Sequence, residues 1–203
     1  KTQSALLEVM EEGSVTIDGV TRVLPKPFLV IATQNPIGSV GTQMLPESQL
    51  DRFMIKLNMG YPDLQSEVDI LKARHSENPI DHVHQVASAE DIVRLQRQTE
   101  QIYVDDRIYN YIASLAQATR QHPMLRLGIS PRGTLALTSA AKATALLRGR
   151  DYVTSDDVRF MLRDVFAHRL LLSTKARMQE ITVEQVIGDE VRQVPVPAIG
   201  DEI

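Results

Sequence analysis

The sequence predicts an α/β fold in two parts: a partial parallel-sheet core with a β-hairpin insertion, followed by an all-α helical bundle. Three observations predict it. Phe28-Leu29-Val30-Ile31-Ala32-Thr33 is a short apolar run rich in β-branched residues, the pattern of a strand buried on both faces in a helix-covered parallel sheet. Asp18-Gly19 stands between two alternating stretches of β-formers, which is a strong hairpin signal. From Asp63 to about residue 174, apolar residues recur at helical spacing behind repeated N-cap patterns. The expected boundaries are 1–61 for the partial core, 62–175 for the bundle and 176–203 for a C-terminal tail.

Taken in order, residues 3–12 read as an amphipathic helix closed by Gly13 at C′, where a left-handed residue is wanted. The hairpin follows, with a register that sets Ile17 across from Val20 and Thr16 across from Thr21. Pro25 and Pro27 end it. The strand at 28–33 stops at Gln34-Asn35-Pro36, and a loop with Gly38 and Gly41 comes next. A short helix is expected from Pro46 to Phe53 and a second brief strand from Met54 to Leu57. Tyr61-Pro62-Asp63 marks the boundary to the bundle, which has one interruption at 76–87.

Ser88 with Asp91, and Thr154 with Asp157, form capping boxes in which Asp stands for the usual Glu or Gln. Behind these and other starts, apolar faces run through Ile92, Leu95, Thr99 and Ile102, then Ile108, Ile112, Leu115 and Thr119. A third runs through Val158, Met161, Leu162 and Val165. Ser130-Pro131 starts another helix, with Ser as N-cap and Pro at N1. Four or five helices of bundle length result. Beyond Gln179 there is one weak helical segment, then Pro195 and Pro197, the pattern of a tail packing elsewhere or disordered.

Composition narrows the function classes. The 203 residues suffice for one large or two small domains, and 43% hydrophobic with 24% charged content is ordinary for a soluble globular protein. The net charge of −4 supplies no global positive field, so binding of nucleic acid by the chain as a whole is disfavoured. The chain has no cysteine, which removes disulfides, thiol catalysis and thiolate metal sites. No apolar run approaches the ~20 residues that span a bilayer, and the expected location is the cytoplasm. The chain opens without Met and runs straight into a helical pattern, so a piece of a longer chain is expected.

Three residues are candidates for chemistry. Asn35 sits just past the carboxyl end of the expected strand, where ligands bind in open α/β sheets. Its amide can donate to a phosphate oxygen and accept from a water; by position alone, Asn35-Pro36 as a turn is the simpler account. Arg52 follows the short helix between Leu50 and Phe53, and a rigidly presented guanidinium can stabilise a transferring phosphoryl group. The alternative is an ion pair with Asp51 or Glu47. Arg132 lies in the first turn of a helix, where the dipole prefers anions. A helix start with an arginine makes an anion site; a surface arginine is the alternative. The histidines at 75, 82, 84, 122 and 168 show no H-x-x-x-H or H-E-x-x-H spacing; His82 and His84, one residue apart in a loop, could touch a metal, with solvated loop histidines the commoner case.

Together these stretches resemble the MoxR family of AAA+ ATPases. The resemblance rests on 29–36 (LVIATQNP), 45–53 (LPESQLDRF), Gly60-Tyr61-Pro62 and Ser130-Pro131-Arg132-Gly133, in order and spacing. Residues 1–12 resemble the helix after the family's acidic magnesium motif, and the match extends over about 1–197. The resemblance implies an AAA+ core with a helical lid, ATP and Mg²⁺ as cofactors, and a homo-oligomeric ring, a hexamer, that remodels client proteins. A partner with a metal-binding domain can accompany it.

By this resemblance Asn35 is the sensor beside the nucleotide and Arg52 the arginine finger offered to the neighbouring subunit. Arg132 is the lid-borne sensor of phosphate, and the Asp18-Gly19 hairpin is an insertion facing pore or substrate. The phosphate-cradling G-x-x-x-x-G-K-[ST] is missing from the chain. So is, ahead of the opening helix, the apolar strand ending in Asp-Glu that helps hold Mg²⁺. Both are expected upstream in a longer parent, the alternative being a degenerate module. Two rival functions are a metal-chelatase motor subunit and a non-catalytic helical interaction module.

Overall fold

The computed structural model describes residues 9–10, 12–34, 45–76 and 78–197. Val9, Met10 and Glu12 are helical, and Gly13, at φ +60°, ends the turn with its N–H on the Val9 carbonyl at 3.0 Å. The rest of the expected opening helix lies outside the described residues. Strands β1 (Ser14–Ile17) and β2 (Val20–Val23) pair antiparallel with Ile17 opposite Val20 and Thr16 opposite Thr21. Asp18 and Gly19 take φ of 53° and 76°, the two positive values that match the twist of a two-residue hairpin. The Thr16 and Thr21 hydroxyls meet at 2.9 Å across the ladder.

The expected strand at 28–33 does not form. Those residues carry no sheet pairing, and Leu29 and Ile31 are 78% and 82% exposed. A parallel strand exists only through hydrogen bonds to neighbours, and among the described residues the sheets are the β1–β2 hairpin and one short lid pair. The second expected strand, Met54 to Leu57, is also absent. Its Lys56 N–H instead donates to the Asp164 carbonyl at 2.9 Å. Between them stands the short helix α1 (Glu47–Leu50).

Helices then dominate: α2 (Leu64–Ser76), a 3₁₀ turn at Pro79–His82 inside the expected interruption, α3 (Ala89–Gln101) and α4 (Asp106–Gln121). Strand β3 (Leu125–Leu127) precedes α5 (Pro131–Leu147) and α6 (Ser155–Phe166). Strand β4 (Leu171–Leu172), α7 (Thr174–Met178) and α8 (Val183–Gln193) complete the order, with β4 antiparallel to β3. The anticipated caps are in place. Asp91 N–H donates to Ser88 Oγ at 3.1 Å and Ser88 N–H to the Asp91 carboxylate at 2.8 Å. Thr154 N–H reaches Asp157 Oδ2 at 2.9 Å.

Helix α5 sits at the centre and packs on α3, α4 and α6. Its buried face is small-sided, with Ala136, Ala140, Ala141 and Ala145 around Leu137, so the neighbouring helices approach closely. Against it lie the faces read from the sequence: Ile108, Ile112 and Leu115 of α4, and Val158, Leu162 and Val165 of α6, none more than 2% exposed. Helix α3 differs, with no fully buried residue and Ile92 and Leu95 about two-fifths exposed.

The segment expected as a tail packing elsewhere instead closes the bundle. Helix α8 packs on α4 and α6, burying Val186 and Ile187, and Val194 joins the core. Its start is a full capping box, Gln185 N–H to Thr182 Oγ1 at 3.2 Å and Thr182 N–H to Gln185 Oε1 at 2.8 Å.

This docking buries Glu190, whose Oε2 has no hydrogen-bond partner. Burial pushes its carboxyl pKa up, and the nearby His122 only partly opposes that. A raised folded pKa makes stability fall as pH rises through it. Glu190→Gln is therefore expected to raise the melting temperature at pH 7.5, by an amount worth on the order of 1 kcal/mol. In thermal melts at falling pH the gain should shrink as Glu190 itself becomes protonated.

Candidate functional site

The site is built where the segment 51–56 meets the start of α5 and the end of α6. Its first component is the loop leading into α5, which hangs on the last turn of α4. The Thr119 hydroxyl donates to the Ala116 carbonyl at 2.6 Å and accepts from the Ile129 N–H at 3.0 Å. Arg120 Nε donates to the Ile129 carbonyl at 2.7 Å. Gly128 presses so closely on this turn that a Cβ would stand 2.6 Å from the Arg120 nitrogen.

So held, Ser130 caps α5, accepting from the Gly133 N–H at 3.3 Å. Its hydroxyl in turn donates to the Asp51 carboxylate at 3.1 Å. Asp51 thus stands at the positive end of the α5 dipole, where an anion is favoured. That answers the oddity of a cation in this first turn: Arg132 shares the helix start with a carboxylate from the other part of the chain.

The second component is Arg169, just past α6, with a side chain only 2% exposed. Its Nε donates to Asp51 Oδ1 at 3.0 Å. Its other nitrogens donate to the carbonyls of Asp51 at 3.2 Å, Phe53 at 2.6 Å and Met54 at 3.2 Å, and also to that of Val165. Burial draws the guanidinium pKa below its ordinary value; Asp51 works the other way, and Arg132 lies near enough to add to the lowering. Arginine stays charged regardless. The stem of Arg169 passes over Gly133, where a Cβ would be 3.1 Å from Arg169 Cδ. Beside it, His168 Nε2 lies 3.0 Å from the Phe53 carbonyl, and burial lowers its pKa, favouring the neutral ring.

These contacts place the candidates. Arg52 is half-buried, between two residues that α5 and α6 grip. The carboxylates first considered as its partners have other engagements: Asp51 with Ser130 and Arg169, Glu47 with Arg126 at 3.1 Å. Arg132 is half-buried at the same junction. Asn35 falls within 35–44, outside the described residues. The segment that carries Arg52 is therefore joined to the helix start that carries Arg132, through Asp51, Ser130 and Arg169.

Sequence reading missed Arg169, Thr119's second role and Gly128. Arg169 had a signal: it continues the buried stripe 158, 162, 165 at helical spacing, and a cation on such a stripe must be paired. Chemically, a half-buried arginine suits recognition of phosphate oxygens, and Arg52 and Arg132 are both half-buried. Among the described residues no three of His, Asp or Glu are grouped as ligands of a metal ion.

Known proteins place the chain in a family. Residues 1–55 match the model of the ATPase family associated with various cellular activities (AAA), and residues 117–190 match the AAA lid domain. The chain is 48% identical over 197 residues to the uncharacterized protein YeaC of Bacillus subtilis, covering 97% of this chain and 62% of YeaC. It is 40% identical over 209 residues to chaperone MoxR1 of Mycobacterium tuberculosis, covering 98% of this chain and 55% of that protein.

A crystal structure from Cytophaga hutchinsonii, provisionally assigned as an ATPase, superposes with a TM-score of 0.89 at 34% identity, over 96% of this chain and 62% of that one. The magnesium-chelatase subunit ChlI-1 of Arabidopsis thaliana stands further off, at 29% over 181 residues. The chain thus spans less than two thirds of the length of YeaC, MoxR1 and the Cytophaga protein. Its architecture is that of an AAA+ core segment joined to a helical lid, and the chain belongs to the MoxR family of AAA+ ATPases.

Proposed function

We propose that this chain supplies the arginine-bearing rear of the core and the lid of a ring motor, in which ATP hydrolysis drives chaperone-like remodelling of client proteins in the cytoplasm. In this reading Asn35 is the sensor beside the nucleotide, Arg52 the finger offered to a neighbouring subunit, and Arg132 the lid-borne phosphate sensor. The ring is a homo-oligomer, a hexamer, and a protein with a metal-binding domain can serve it. One observation carries the reading: the Asp51 carboxylate joins the Arg52 segment to the helix start that bears Arg132. A module with no chemistry to perform has no need to fix two arginines at one junction. The greater identity to MoxR1 than to ChlI-1 favours remodelling over the chelatase alternative.

Bound ATP supplies the phosphoryl group, and Mg²⁺ is held by residues other than those described. Arg132, on the first turn of α5, contributes charge and helix-dipole field toward phosphate oxygens. Arg52 contributes charge toward the group being transferred.

Two measurements test this. The 203-residue chain lacks the phosphate-cradling motif, so calorimetric titration with ATP and Mg²⁺ is expected to show only weak binding, and phosphate release should stay at background. In the full-length protein, Arg132→Ala is expected to weaken nucleotide affinity as well as turnover. Normal affinity and rate in that variant would remove Arg132 from the site.

A further inference from the structure

We propose that Thr119 and Arg120, in the last turn of α4, are positioning residues for Arg132: they pin Ile129 and so fix how the first turn of α5 presents its guanidinium to phosphate. The inference rests on the reading of Arg132 as a phosphate sensor and concerns residues that act through it. Thr119 is 2% exposed, and its hydroxyl works with a fixed polarity. The proton goes to the Ala116 carbonyl at 2.6 Å, inside its own helix, which leaves a lone pair for the Ile129 N–H at 3.0 Å. Next in the chain, Arg120 Nε donates to the Ile129 carbonyl at 2.7 Å. Consecutive residues of one helical turn thus take both backbone groups of a single loop residue.

Ile129 is 1% exposed, so its N–H and C=O depend on these partners in place of water. Its side chain makes a third hold: Cγ2 lies under the first turn of α5, 2.7 Å from where a Cβ on Gly133 would stand. Gly128 lets the loop come this near, since a Cβ there would stand 2.6–2.8 Å from the backbone of Thr119 and Arg120. From Ile129 the chain passes directly into the cap, where the Ser130 carbonyl accepts from the N–H groups of Gly133 at 3.0 Å and Thr134 at 3.3 Å. Arg132 is thus three residues from a fixed point, with a hydrogen-bonded turn between. The alanine face and Leu137 set where α5 lies in the bundle. The hold on Ile129 sets where it begins and where its first turn points. An apolar isostere at 119 would leave a buried N–H unpaired, and the loop would shift to find it a partner.

The test uses the full-length protein, titrated with ATP and Mg²⁺ and assayed for steady-state hydrolysis, at a temperature where circular dichroism shows each variant folded. Thr119→Val keeps the shape and removes the acceptor. It should weaken ATP affinity and lower kcat/KM by on the order of 10²-fold, the cost of a small misplacement of an active-site group. Thr119→Ser keeps the hydroxyl and should recover most of both. The double variant Thr119→Val/Arg132→Ala should be no worse than Arg132→Ala alone, because a positioning residue has no effect without the group it positions. Arg120 is exposed, so Arg120→Met carries the test even where Thr119→Val fails to fold. It should weaken ATP affinity in the same way and add nothing beside Arg132→Ala. Wild-type affinity and turnover in Thr119→Val, a fall in melting temperature alone, a serine variant as impaired as the valine one, or losses that multiply in the double variant would each overturn the proposal. A normal Thr119→Val beside an impaired Arg132→Ala defeats the positioning role alone. An unchanged Arg132→Ala defeats the sensor reading and the positioning role with it.

Discussion

In the full-length ring, Arg52→Ala should leave ATP binding near normal and lower hydrolysis by on the order of 10³-fold, the scale of a missing arginine finger. The reason lies in where charge develops. A guanidinium that meets the phosphoryl group mainly in the transition state changes turnover and leaves ground-state affinity alone. Mixed rings decide whether the effect acts across subunits. Arg52→Ala subunits are combined with subunits whose phosphate-loop lysine is disabled. A finger serving its neighbour restores part of the activity, because intact fingers on the lysine variants face intact nucleotide sites on the others. No recovery in verified mixed rings would mean that Arg52 is a structural residue. The alternative, an ion pair with Asp51 or Glu47, would show as a stability loss in Arg52→Ala with hydrolysis unchanged; Asp51 also receives Arg169, and Glu47 receives Arg126.

The second large effect is on stability. Asp157 is fully buried, and it receives Arg148 at 2.9 Å and Arg150 at 2.8 and 2.6 Å, besides the N–H and hydroxyl of Thr154 at 2.9 Å. One carboxylate thus completes a helix cap and pairs with two arginines from the α5–α6 turn. Asp157→Ala is expected to cost about 2–4 kcal/mol in denaturant unfolding, from the lost cap and the broken buried pair. The lower part of the usual range for a broken pair applies, since both arginines retain access to water.

The pH dependence has a definite sign. Burial opposes ionisation of Asp157, but the bonds from Arg150 and Thr154 outweigh it, and the pKa lies below the ordinary value. A depressed folded pKa contributes stability above the unfolded carboxylate value, near about 3.9, and loses it as pH falls through the folded one. Melting profiles of Asp157→Asn should lack that part of the acid loss while remaining less stable at neutral pH. An unchanged acid limb would show that Asp157 is not the carboxylate responsible.

What the sequence disclosed follows how local each signal is. The Asp18-Gly19 hairpin was legible to its register, because two positive-φ residues and four cross-strand pairs lie within ten positions. The helices at 89, 131 and 155 were legible from their caps for the same reason. Thr182 with Gln185 has the same pattern, yet the two prolines after it drew that stretch toward a tail. Its burial depends on faces of α4 and α6 far away in sequence. The run at 28–33 has strand composition, but composition cannot supply the neighbours a strand pairs with. In the candidate site, Arg52 and Arg132 were legible as residue types on helix boundaries. The link between their segments was not, because it passes through Arg169, 118 positions from Asp51.

The space above Gly133 also bears on inheritance. A motif search would score Ser130-Pro131-Arg132-Gly133 as a local word and treat its glycine as a spacer. The chain treats that glycine as a packing position, since a Cβ there would stand 2.7 Å from Ile129 Cγ2 and 3.1 Å from Arg169 Cδ. Position 133 is therefore expected to change in descent with 129 first and with 169 second: a lineage that puts a side chain at 133 must trim the one at 129 and ease aside the stem at 169.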